Sequence, residues 1–256
     1  KVKGEEEDKK VDLFNLNLSQ MEIIQIAREA DLNFIGKISN KANHYTSLLG
    51  RKQSLSYLDL RGEKLQFYNF DSNKYKIVVC DTGVHIKDPA ATCNERIEEC
   101  EVGIKGLRLY IWGIKNLRDV GLKFLEKHLH MIPKRIYNRC LYNVKERLRV
   151  EEVLKKLHID GFDILGKKLF ESHNDLSNIY QISSPEADFL VDSAHKIDGV
   201  LGSKMISCSP IKSTFNLVED GKVEQFTNKI QSTFRKKFGM ELTVHTLGTA
   251  KGIMGK

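Results

Sequence analysis

The apolar positions change period several times along the chain, and each change predicts an element. Ser19 is a good N-cap, and Glu22 three residues later completes a capping box, so a helix opens there. Ile23, Ile24, Ala27, Ala30, Leu32, Phe34 and Ile35 continue a helical apolar face that ends at Gly36. A polar linker over 37–43 and a short segment over 45–50 follow. Residues 54–60 and 64–70 read as two strands joined by Arg61-Gly62-Glu63, which is turn chemistry, so a hairpin is predicted. Residues 76–81 are a third, more buried strand.

From about Asn94 to Leu157 the spacing is helical, with divisions near Gly113, Pro133 and Gly161. Leu141, Val144, Leu148, Val153, Leu154 and Leu157 form an apolar stripe. Two further helices are predicted over 164–176 and 186–197, the second with Ser184 as its cap and Pro185 at its first position. Residues 212–218 read as a strand and 223–238 as an amphipathic helix with Phe226, Ile230, Phe234 and Phe238 at spacing four. Residues 242–247 are a final strand. Strand, helix, strand at the C-terminus predicts a ferredoxin-like split unit within an α+β fold.

Composition narrows the class. The chain has 256 residues, 41% hydrophobic and 29% charged, which excludes a disordered chain and leaves enough apolar surface for a core. No apolar run approaches the roughly 20 residues a membrane span needs, so no membrane partner is expected. Lys and Arg total 41 against 34 Asp and Glu, a net charge of +7. The basic residues are interspersed with acids, and the densest cluster, Arg135 to Arg149, has helical spacing and reads as a solvated helix face. That argues against nucleic acid as the partner.

The five cysteines, at 80, 93, 100, 140 and 208, are odd in number and form no C-x-x-C. They point to an intracellular, reducing compartment, cytoplasmic by default, rather than to a disulfide framework. Residues 1–10 read as a solvated lead-in. No phosphate loop, dinucleotide fingerprint, zinc motif or nucleophile elbow is present. His128 and His130, two apart, would face different sides of a helix, so no metal site is expected.

Four stretches in order resemble galactokinase, of the GHMP family of small-molecule kinases. Asp81-Thr82-Gly83-Val84, then Asn94-Glu95-Arg96 to Cys100-Glu101, is similar to its D-T-G-V…Y-N-x-R-R-x-x-C-E segment. Tyr142 to Val150 resembles its H-V-x-x-E-x-x-R-V helix. Gly166, Leu169, Ser172, His173, Leu176, Tyr180, Ser183, Pro185, Glu186 and Asp188 follow its G-x-L-M-x-x-S-H-x-S-L-x-x-x-Y-x-V-S-x-P-E-L-D pattern. Gly199 to Met205 matches the start of its G-V-x-G-S-R-M-T-G-G-G-F-G-G loop. The resemblance implies a GHMP-kinase-like C-terminal domain over 76–256, with a large helical insertion, and a remnant of the N-terminal kinase lobe over 11–75.

It also marks departures. Asn43 stands where the family has the Asp that acts on the sugar hydroxyl, and an amide cannot take a proton as a general base. Asn40 replaces a glycine and Cys93 a tyrosine at sugar-contact positions. The glycine loop begins as Gly202, Ser203, Lys204 and Met205. It then runs Ile206, Ser207, Cys208, Ser209, Pro210, Ile211 and Lys212 where the family has glycines that let backbone approach substrate. The family's sugar-gripping segment and phosphate loop do not occur in these 256 residues.

The resemblance therefore implies a galactokinase-like protein that has lost catalysis and is kept for binding or a structural role in a complex. The alternative is an active ATP-dependent galactokinase, phosphorylating the sugar C1 hydroxyl, with an N-terminal segment missing here and Asp59 or Asp81 as base. No cofactor is expected on the first reading, ATP and Mg on the second. A protein partner, or that N-terminal segment, is expected against residues 19–70, with galactose an open ligand. A third reading is a nucleic-acid module using Arg235-Lys236-Lys237 and the 135–149 helix. His173 reads as packed and hydrogen-bonded, and Glu146 and Arg149 as a pair one helical turn apart.

Overall fold

A computed structural model describes residues 18–35, 41–159, 161–207 and 209–253. The chain divides into two units, one of residues 1–75 with 248–256, the other of residues 76–247.

In the first unit, α1 (Gln20–Ala30) starts at the capping box read from the sequence: the Glu22 amide donates to Ser19 Oγ at 3.3 Å and the Ser19 amide to Glu22 Oε2 at 2.7 Å. It widens into a π-turn over Asp31–Ile35. The expected polar linker is helical from Lys41: α2 (Lys41–Leu49) turns Tyr45 and Leu48 inward onto Ile23 and Ile24. Two buried positions at helical spacing are enough to dock a short helix whose other faces are polar. The hairpin forms as expected, β1 (Ser54–Asp59) pairing antiparallel with β2 (Lys64–Asn69). The end of the chain returns to this unit. The Gly252 amide donates to Gly50 O at 2.7 Å, Ile253 to Ser47 O at 3.0 Å, and Gln53 to Thr249 Oγ1 at 2.8 Å.

The second unit is built on a four-stranded sheet of β3 (Tyr75–His85), β4 (Val200–Met205), β5 (Ile211–Glu219) and β6 (Thr243–Leu247) in the order β4-β5-β3-β6. β4 with β5 and β3 with β6 are antiparallel. Thr82 meets Lys212 and Val78 meets Asn216, so β3 and β5 also run in opposite directions. This is the predicted ferredoxin-like order. Its first crossover is expanded by α3 (Pro89–Arg108), α4 (Leu122–Lys127), α5 (Lys134–Lys156), α6 (Phe162–Asp175) and α7 (Pro185–Ala194), and its second is α8 (Val223–Phe238). Ser184 and Pro185 open α7 as expected.

Three expectations change. β4 was read as the start of a loop. Its register shifts between Val200 and Gly202, and that irregularity hides the alternation of a strand. α3 begins at Pro89, earlier than Asn94, because Asp88 caps it by accepting from the Ala91 amide at 2.8 Å. The 141–157 stripe is only in part the buried face of α5: Val144 is buried with Tyr137 and Cys140 from the turns before it, whereas Leu148 is exposed.

One core lies between the sheet and α7 and α8, where Phe226, Ile230 and Phe234 are fully buried with Val78, Leu190 and Val218. The spacing-four stripe of α8 is thus core. A second cluster joins α3, α4 and α5 through Leu107, Leu125, Cys140 and Val144. Among the described residues no helix is long and apolar enough to cross a membrane.

Candidate functional site

The Arg135 to Arg149 cluster is not a solvated face throughout. Arg139 and Arg149 are buried because each finds carboxylates. Arg139 Nε donates to Glu99 Oε2 at 2.7 Å, and its other nitrogens reach Ile179 O and Gln181 Oε1. Burial pushes the Glu99 carboxyl up, but Arg139, with Arg96 and Arg135, outweighs it and holds the group below the ordinary carboxylate range.

Arg149 pairs with Glu146 at 2.8 Å, as the one-turn spacing predicts, and also with Asp175, which Lys145 reaches at 2.7 Å. Glu146 is the hub. It accepts from Ser172 Oγ at 2.7 Å and from Lys204 Nζ at 2.6 Å. Burial pushes its pKa up, yet Lys204, Ser172 and Arg149 together hold it below the ordinary carboxylate range. Three elements, α5, α6 and β4, are tied at this point.

Next to it, His173 is packed and hydrogen-bonded as read from the sequence. Its Nδ1 accepts from the Met205 amide at 3.3 Å, and its Nε2 lies 3.2 Å from Asp188 Oδ1. Burial lowers its pKa, with Asp188 pulling the other way. An Nδ1 that accepts an N–H cannot take a proton without losing that bond, which acts in the same direction as burial.

α6 and β4 also touch backbone to backbone. A Cβ on Gly166 would sit 2.1 Å from Leu201 O, and one on Gly202 2.5 Å from the Gly166 Cα. Gly202 and Lys204, two of the glycine-loop positions, therefore serve this junction. Ser203 is fully buried in β4, and its hydroxyl has no hydrogen-bond partner among the described residues.

The cavity nearest the departures holds about 190 Å³. Cys93, Met205 and Ile206 line it, with Ile86, Ile182 and Ala187. Its polar lining is already engaged. Thr92 Oγ1 donates to Asp88 O at 3.1 Å, Ser183 Oγ to Asp188 at 2.5 Å, and Lys212 Nζ to Glu186 at 3.2 Å. Ser184 Oγ accepts from the Ala187 amide. Cys93 is disulfide-bonded, whereas the odd cysteine count argued against a disulfide framework. The count argues against several bridges and says nothing against one. Cys80, Cys100 and Cys140 are free thiols, and burial pushes them to about 12, 11 and 12.

The structure brings together Cys93, Met205 and Ile206, in the second unit. Asn43 lies exposed on α2 of the first unit. Asn40 and Cys208 fall outside the described residues. Ser207 lies in a turn, and Ser209 Oγ accepts from the Ile211 amide. The candidate bases are engaged by nearby backbone: Asp59, at the end of β1, accepts from the Arg61 amide at 3.0 Å, and Asp81, within β3, from the Gly83 amide at 2.8 Å. Ser172 and Lys204 as partners of Glu146, and Thr92, Ser184 and Lys212 around the cavity, were not anticipated. The Ser172-His173 pair in the α6 pattern was the one available signal. Among the described residues no group of three or more His, Cys, Asp or Glu could hold a metal ion.

No family model matches the chain. The galactokinase of Thermotoga neapolitana is 28% identical over 240 residues, covering 94% of this chain and 66% of its own length. The crystal structure of Lactococcus lactis galactokinase complexed with galactose superposes with a TM-score of 0.88 at 22% identity, over 94% of this chain and 62% of that one. L. major mevalonate kinase superposes at 0.55 with 14% identity, again over 94% of this chain and 62% of its own. The chain thus spans just under two thirds of the length of the curated relatives it matches. It is galactokinase-like in sequence over nearly all of its own length, and carries the α+β fold common to GHMP kinases.

Proposed function

We propose that this chain is a catalytically inactive relative of galactokinase, kept for binding within a complex. The observation that carries this reading is the cavity beside Cys93. A hexose is held by several hydrogen bonds, and sites for such ligands usually offer about 300 Å³ or more. This cavity is smaller, mostly apolar, and its hydroxyls and Lys212 are already bonded within the protein. Two further observations support it. Asn43 has an amide where the resemblance expects a base. The 206–212 segment carries side chains, and Pro210 has no N–H to offer a phosphate while its carbonyl accepts from Ile86 at 2.8 Å. These residues do not fit a nucleotide held by backbone amides.

A binding role has its own support in the first unit, where Met21, Ile26, Leu32, Leu60 and above all Phe34, 90% exposed, present apolar surface. A partner protein, or a further segment of a longer chain, is the occupant expected there.

Calorimetry of the full native protein with galactose and with ATP tests the reading. No heat from either supports it. Phosphorylation of galactose by ATP overturns it in favour of an active galactokinase.

A further inference from the structure

The chain's net charge of +7 is not evenly spread. Residues 102–135 hold eight lysines and arginines against only Asp119 and Glu126, so +6 of the total lies in these 34 residues. All eight basic residues are exposed. Among the described residues, Lys105, Lys115, Lys123 and Lys127 have no ion pair.

The same stretch carries the most exposed apolar side chains of the second unit. Trp112 is 99% exposed and Leu109 81%. They stand on the turn after α3, which Gly113 at φ +92° reverses into open space, with nothing within 4 Å of where its Cβ would be. The Tyr110 ring lies 5.8 Å from His128, which brings the turn beside exposed Leu129 and Met131.

We propose that this turn docks the protein on an anionic lipid surface, with Trp112 and Leu109 entering the headgroup layer and the surrounding lysines facing the acidic lipids. Trp and Tyr prefer the boundary between water and hydrocarbon. Basic residues near such a surface each add attraction, and apolar anchors supply the rest. A nucleic acid would use the rings and the lysines but would leave Leu109, Leu129 and Met131 without a role. Docking on a surface needs no span, so it departs from the expectation of no membrane partner, which rested on the lack of a spanning segment alone.

Trp112 is the single tryptophan of these 256 residues, so tryptophan emission, excited apart from the eight tyrosines, reports this turn. The full-length protein is titrated with phosphatidylcholine vesicles, with and without about 30% phosphatidylserine. The expected result is a blue shift and co-sedimentation with the anionic vesicles only, both weakened by salt. Leu109→Ser, and separately Lys115→Glu with Lys123→Glu, should each lower partitioning about tenfold. These residues are exposed, so the variants keep their fold. Unmoved emission with anionic vesicles overturns the proposal, as does equal partitioning into neutral ones. Emission already blue before lipid is added also overturns it, because the turn is then covered by protein. A shift with single-stranded RNA but not with vesicles reassigns the face to nucleic acid.

Discussion

The junction of α6 with β4 and the segment that follows β4 are neighbours in sequence, yet they are built in opposite ways. At the junction two glycines allow backbone contact, and Glu146, Ser172, Lys204, Arg149 and Asp175 bond to one another. From Ile206 to Lys212 there is no glycine, a proline interrupts, and the polar groups around the cavity are satisfied locally. The resemblance to galactokinase is close in the first region and lapses in the second. The contacts of the junction are internal, so its residues answer to folding. Ile206 and Lys212, at the two ends of the segment after it, line the cavity, so they answer to what the cavity admits. A matching pattern in the first is a statement about scaffold, and fold alone does not carry activity.

The comparison breaks most severely at Gly166. Gly166→Val would drive a side chain into the Leu201 carbonyl, which is backbone and cannot turn aside. A loss of at least about 3 kcal/mol, or of cooperative unfolding altogether, is expected in urea titration. Gly121→Ala, with open space around it, is the control and should be near neutral.

Arg149→Met comes next. It leaves Asp175 and Glu146 short of a guanidinium, with Lys145 and Lys204 as the remaining partners, and should cost about 3 kcal/mol in the same titration.

Acidification separates His173 from the paired glutamates Glu146 and Glu99. The pKa of His173 is lowered in the folded state, so the unfolded chain binds its proton first and stability falls as the pH drops below ~6.5. Glu146 and Glu99 are held low, so their contribution is present above ~4.3 and is lost only as the pH falls further. Urea midpoints of the wild type should therefore decline between about pH 7 and 5.5, and those of His173→Gln should be flatter across that interval.

The smallest effect is expected at Asn43→Asp. The side chain is exposed, so stability should move by no more than about 0.5 kcal/mol. Galactose phosphorylation should stay undetectable in a coupled assay, because a carboxylate there does not alter the cavity or the 206–212 segment. Turnover appearing in this variant would place the loss of activity at that one position.

Periodic elements were legible in the sequence. α8, the β1–β2 hairpin and the caps Ser19 and Ser184 follow from local spacing and hydrogen bonding. α2 and β4 were not, because α2 has only two buried anchors and β4 carries a register shift over its glycine. The buried arginines escaped for another reason. Arg139 meets Glu99 from 40 residues away and Arg149 meets Asp175 from 26, and charge pairing at that range leaves no periodic trace. Of the candidate site, the identities of the altered residues were readable. That Gly202 and Lys204 serve the junction, and that the cavity's hydroxyls are already engaged, required the geometry.

Gln53 is bonded to Thr249 across 196 positions of chain, and the whole second unit is made in between. On the ribosome, Ser47, Gly50 and Gln53 emerge before the second unit and wait for Thr249, Gly252 and Ile253, which follow it. The first unit is thus begun before the second and completed after it. A stop codon or a nick just after Leu247 would be felt at residues encoded some two hundred codons upstream, while the sheet of the second unit would already be complete.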